Sequence, residues 1–185
     1  MPHRVFIGIG TNLGDRAGNF REAIERVARL PETRIMRQSS IYETEPVGDL
    51  KGAFLNGVIE VETELTADVM MRRLLAIERQ MGRKRARGRK SAARQRPRPR
   101  VIDLDLLFFD KEMIETPALI TPHPRLHERR FVLAPMAELA PTLIHPKLNV
   151  SISDLLAGLK SPQRVTLARA DLLRPPPRKR EVASR

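Results

Sequence analysis

Apolar and polar residues alternate along four segments of the chain and recur at helical spacing along two. Val5, Ile7 and Ile9 against Arg4, Phe6 and Gly8 predict a first strand ending at Gly10, because successive strand side chains face opposite ways. Asp15 is placed to cap a helix whose apolar positions are Phe20, Ile24, Val27 and Ala28, and Pro31 closes it. Residues 35 to 44 predict a second strand. Leu55, Gly57, Ile59, Val61 and Thr63 against Asn56, Val58, Glu60 and Glu62 predict a third. A second helix starts after Thr66, with Met70, Leu74, Ile77 and Met81 as its buried stripe and Gly82 as its terminator. In the fourth strand Val101, Asp103, Asp105 and Leu107 share one face, and Ile102, Leu104, Leu106 and Phe108 share the other.

Strand, helix, strand, strand, helix, strand is the order of a ferredoxin-like α+β fold, an antiparallel sheet with helices packed on it. That order leaves open which strands are neighbours. Appended C-terminal elements follow: an extended arm over residues 113 to 120, a break at Thr121-Pro122-His123-Pro124, short helices from Leu126 to Leu139 interrupted by Pro135, and a last helix through Ile152, Leu155, Leu156 and Leu159. Residues 45 to 52 read as a loop mobile enough to close over a ligand. Periodicity ends near Ser161, so one domain over residues 1 to 160 and a basic, disordered tail over 161 to 185 are expected.

The net charge of +12 matters through its placement. Residues 83 to 100 hold ten Lys or Arg and no acid, and residues 162 to 185 hold seven against two acids, which leaves the body slightly acidic. A phosphate-rich partner is implied, and a small nucleotide serves as well as a nucleic acid. The absence of cysteine excludes disulfides and thiolate chemistry. No apolar run resembles a signal peptide or reaches a membrane-spanning length, so a cytoplasmic protein is expected.

Asp103 and Asp105 would stand about 6 to 7 Å apart along one strand face, where like charges repel in a poor dielectric. Arginines of the preceding loop or a divalent cation would relieve them, and Mg2+ favours oxygen ligands shared with phosphate. The residues alone leave both open. No Gly-x-x-x-x-Gly-Lys-Ser/Thr loop, His-Glu-x-x-His helix or nucleophile elbow is present, and Pro124 disfavours a helical metal pair of His123 with His127. What remains is a carboxylate pair, a basic loop before it, and His123, Arg125, Arg129 and Arg130 after it, an inventory suited to nucleotide phosphates bridged by Mg2+.

Gly10-Thr11-Asn12-Leu13-Gly14-Asp15, Tyr42-x-Thr44-x-Pro46-x-Gly48, Phe54-Leu55-Asn56, Glu78-x-x-x-Gly82-Arg83, Pro99-Arg100-x-Ile102-Asp103-Leu104-Asp105 and Pro122-His123-Pro124-Arg125-Leu126-x-x-Arg129-x-Phe131 form a set. With them, residues 4 to about 156 resemble the 6-hydroxymethyl-7,8-dihydropterin pyrophosphokinase family. The resemblance implies transfer of the β,γ-diphosphate of ATP to a reduced pterin, with release of AMP, in folate synthesis. It implies two Mg2+ ions on Asp103 and Asp105, and phosphate contacts from Arg83, Arg85, Arg100, His123 and Arg129, with Arg83 and Arg100 catalytic beside the two aspartates. Glu78 would lie by the nucleoside, Phe54 and Phe131 would sandwich the pterin, and Asn56 with the backbone from Thr44 to Val47 would read its amide edge. A monomer acting on small molecules is expected, with no specific nucleic acid and no membrane. An RNA-binding module is the rival reading, but such sheets stack bases on exposed aromatics, and one Tyr with six Phe leaves few. A relative that kept the scaffold and lost catalysis is the third, and the intact Arg100, Asp103, Asp105 and His123 argue against it.

Overall fold

The computed structural model describes residues 1–45, 52–82 and 101–168. Its elements in chain order are β1 (His3–Thr11), α1 (Arg16–Ala28), β2 (Thr33–Gln38), β3 (Tyr42–Thr44), β4 (Phe54–Thr63), α2 (Ala67–Gln80), β5 (Asp103–Phe109), β6 (Ile114–Glu115), β7 (Ile120–Thr121), a 3-10 turn (Leu126–Glu128), α3 (Arg130–Leu139), β8 (Ile144–His145), β9 (Val150–Ser151), α4 (Ile152–Gly158) and β10 (Val165–Leu167). The main sheet is antiparallel in the order β10-β3-β4-β1-β5, and β2 also pairs with β4. The first and fourth predicted strands are therefore neighbours, as in a ferredoxin-like α+β sandwich. Two short hairpins, β6-β7 and β8-β9, are appended.

One face of the sheet is closed by α1 and α2. Val5, Ile7, Ile9, Ile59, Val61, Leu104 and Leu106 pack there against Phe20, Val27, Met70 and Leu74, in one buried cluster. Asp15 caps α1 as expected, its Oδ1 accepting from Gly18 N at 2.9 Å. The buried stripe is Ala17, Phe20, Ala23 and Val27, while Ala28 is exposed. Gly57 lets the helix come close, since a Cβ there would stand 2.8 Å from Phe20 Cζ. On the other face Phe6, Val58, Leu107 and Phe108 pack at one end under Val132, Leu133 and Met136 of α3.

Four expectations are corrected. Phe108 leaves the face of Leu104 and Leu106: the β1-β5 register jumps from Ile7↔Leu106 to Phe6↔Phe108, so Leu107 is an extra residue and Phe109 takes the helix-covered side. The second strand is two, because the Ser39 hydroxyl accepts the Val58 N–H at 2.9 Å and breaks the ladder between β2 and β3. Pro135 lies inside α3 without interrupting it; it has no N–H for Phe131's carbonyl, but its helix buries Val132, Leu133, Met136 and Leu139, which outweighs one missing bond. Finally, the stretch beyond Ser161 is not all tail, because Val165–Leu167 forms β10 on the outer edge of β3.

Candidate active site

The floor of the candidate site is built from the strand register, on the face that α3 partly covers. Tyr42 faces Asn56, Asn56 faces Gly10 and Gly10 faces Asp103, so these four form one row across the sheet. In the next row Val58, Gly8 and Asp105 are aligned. Gly10 lies within β1, one residue short of the strand's end at Thr11, and its missing side chain leaves the floor bare: a Cβ there would stand 3.3 Å from Asn56 Oδ1 and 3.9 Å from Asp103 Cβ. The amide and the carboxylate thus flank a gap of two strand spacings, about 10 Å between backbones.

On the β3 side, Asn56 is buried and its Nδ2 donates to Thr44 Oγ1 at 2.8 Å. Phe54 is half-buried at the start of β4, directly opposite Thr44. The Tyr42 hydroxyl donates to Glu138 Oε1 of α3, and burial, followed by that bond and the nearby carboxylate charge, pushes the phenol up to about 12.

On the β5 side, Asp103 and Asp105 are both partly exposed. Arg129 Nη1 lies 3.6 Å from Asp105 Oδ2, and its guanidinium carbon sits 5.7 Å from the centre of the Phe131 ring. His123 is tied to the strand by its backbone N–H, which donates to Leu107 O at 2.9 Å. Burial lowers the imidazole to about 4, helped by the Arg129 charge and opposed by Asp103. Its Nδ1 accepts from Arg125 N at 3.2 Å, so in the neutral ring the proton sits on Nε2.

The structure therefore gathers Asp103, Asp105, His123 and Arg129 around β5, with Thr44, Phe54 and Asn56 across the gap. Phe131 stands half-buried in the first turn of α3 beside Arg129. Val47, Arg83, Arg85 and Arg100, and most of the loop expected over residues 45 to 52, lie outside the described residues. Glu78 is 1% exposed, and its Oε1 accepts from Leu104 N at 2.9 Å, fixing the outer edge of β5 from below. No sequence pattern indicated that bond, which joins residues 26 positions apart. Gly10 and Glu138 are further residues beside the candidate site that sequence reasoning missed; a glycine at Gly10 within the alternation of Ile7 and Ile9 was the available signal. For a divalent cation the fitting donors are Asp103 and Asp105, partly exposed hard oxygen ligands on one face. A second group, His3, Asp110 and Glu112, sits at the far end of the sheet, where His3 Nδ1 and Asp110 Oδ2 are bonded to each other at 2.6 Å.

Comparison with known proteins points to one family. A family model described as 7,8-dihydro-6-hydroxymethylpterin-pyrophosphokinase (HPPK) matches residues 6–141. The 2-amino-4-hydroxy-6-hydroxymethyldihydropteridine pyrophosphokinase of Bacillus subtilis is 40% identical over 140 residues, which is 75% of this chain and 79% of that protein. The protein of the same name from Methylorubrum extorquens is 38% identical over 142 residues, 76% and 85% of the two chains. Among solved structures, the wild-type HPPK-DHPS of Plasmodium falciparum shares the fold with a TM-score of 0.64 at 14% identity, over 85% of this chain and 44% of that one. With the family model spanning most of the chain and two relatives aligned over most of their own length, this chain belongs to the 7,8-dihydro-6-hydroxymethylpterin-pyrophosphokinase family.

Proposed function

We propose that the protein transfers the β,γ-diphosphate of ATP to the hydroxymethyl group of 6-hydroxymethyl-7,8-dihydropterin, in folate biosynthesis. The observation that carries this reading is the Asn56-Gly10-Asp103 row: an amide reader and a carboxylate on opposite sides of a glycine, beside the part of the sheet that α3 covers. A flat heterocycle fits such a floor, its polar edge toward Asn56 and Thr44 and its substituent toward Asp103 and Asp105. Phe54 and Phe131 supply the aromatic faces for its rings. In the transfer, the hydroxymethyl oxygen bonds to the β-phosphorus and the bond from that phosphorus to the AMP oxygen breaks.

Asp103 and Asp105 would hold two Mg2+ ions, which when bound supply Lewis-acid neutralisation of the triphosphate and of the leaving oxygen. Arg129, already drawn to Asp105, is placed to turn its charge to a phosphate oxygen. His123, whose Nδ1 accepts the Arg125 N–H, would offer its Nε2–H to a phosphate oxygen. Arg83, Arg85 and Arg100 belong to the same phosphate grip by family resemblance, with Glu78 beneath the nucleoside end and Val47 beside the pterin. On this reading the protein works as a monomer on two small molecules. Among the described residues no helix is long and apolar enough to cross a membrane. The test is incubation with ATP, Mg2+ and the hydroxymethyl pterin: AMP and pterin diphosphate are expected, ADP would indicate single-phosphoryl transfer instead, and no nucleotide product would sink the assignment.

A further inference from the structure

We propose that the C-terminal strand β10 is a positioning element for pterin recognition, acting through β3. This rests on the reading of Asn56 and Thr44 as the pterin-facing pair. The family match ends at residue 141, so β10 lies beyond it. β3 is only three residues long, and β4 holds one of its edges. β10 takes the other, with Val165 opposite Thr44, Thr166 opposite Glu43 and Leu167 opposite Tyr42, and the Ala168 N–H donates to Ile41 O at 2.8 Å.

The consequence is local. Residues directly opposite in an antiparallel pair point the same way, so Val165 stands beside Thr44 on the site face, at the outer end of the Thr44-Phe54 row. Thr44 is 2% exposed, and its Oγ1 is the acceptor that orients the Asn56 amide. A three-residue strand paired on one edge alone is marginal, and pairing the second edge holds its backbone and that hydroxyl in place. The Tyr42 bond to Glu138 steadies β3 from α3, which packs against both β3 and β10. The carboxylates of β5 are four strand spacings from β10, about 19 Å, too far for the same change to reach them strongly. Loss of β10 should therefore weaken pterin binding and spare ATP.

Two full-length variants test this. Thr166→Pro removes a ladder N–H facing Glu43, and the triple variant V165G/T166P/L167G also strips the strand of its side chains and its β-forming residues. Thr166→Val serves as the conservative control. Pterin binding is read from the pterin's own fluorescence, with a non-hydrolysable ATP analogue and Mg2+ present, and nucleotide binding is titrated separately. The expected result is a pterin dissociation constant about tenfold higher in both disrupting variants, a nucleotide constant within about twofold, and wild-type values for Thr166→Val. Unchanged pterin binding in the triple variant, or equal losses for pterin and nucleotide, would overturn the proposal. Failure of the functional reading would show separately, as wild-type protein forming no AMP.

Discussion

The two faces of the main sheet obey the same strand period and have opposite fates. Beneath α1 and α2, Val5, Ile7, Ile59, Val61 and Leu104 are all at or below 1% exposure, and Glu78 of α2 accepts the Leu104 N–H. On the other face α3 covers Phe6, Val58, Leu107 and Phe108, while Gly10, Asp103 and Asp105 at the other end are partly exposed among the described residues. The proposed site lies beside the part of the sheet that α3 covers. Substitutions on the covered face should cost stability, and substitutions on the floor of the site should cost activity.

The largest effect is expected from Asp105→Ala: AMP release falls by about a thousandfold or more while the thermal midpoint stays within a few degrees. Wild-type-like turnover in that variant would remove Asp105 from the cation site. Gly10→Val fills the floor between Asn56 and Asp103 and should lower kcat/KM for the pterin by about a hundredfold, with far-UV circular dichroism unchanged. Phe131→Ala should weaken pterin binding about tenfold and ATP binding much less, measured by titrating each ligand; equal losses would contradict the aromatic role. Gly57→Ala is the counterpart on the covered face. Its Cβ meets the buried Phe20 ring, so denaturation should show a loss of about 1–3 kcal/mol with KM values of the folded enzyme unchanged.

The smallest effect concerns pH. His123 is lowered to about 4 in the folded protein from the ordinary 6.5, so between these values the unfolded chain binds the proton first. Its contribution to stability is complete above pH 6.5 and declines as pH falls toward 4. Urea midpoints at pH 7 and pH 5 should therefore separate less in His123→Asn than in the wild type, and the wild-type ring resonances should not titrate near 6.5. A ring titrating there would show that burial and the Arg129 charge do not hold it neutral.

Legibility followed the range of the interactions. The strands β1, β4 and β5 and the helices α1 and α2 are written in local periodicity, and so are the two aspartates two positions apart on one face. Phe108 was misplaced because the extra residue at Leu107 is a matter of pairing with β1, invisible in β5 alone. Ser39 splits the second strand by bonding to Val58, 19 positions away. β10 has three residues and partners more than 120 positions earlier, too little local pattern to distinguish from tail.

The sequence by itself determined the α+β order, the covered face and the kind of chemistry, because hydrophobic periodicity and residue type are properties of short windows. Which residues meet was decided only by tertiary structure: the register that lines Asn56 with Gly10 and Asp103, the bond from Glu78 to β5, and the part of the sheet that α3 covers. Strand register and helix placement are set by packing summed over the whole core, and no local stretch contains that sum.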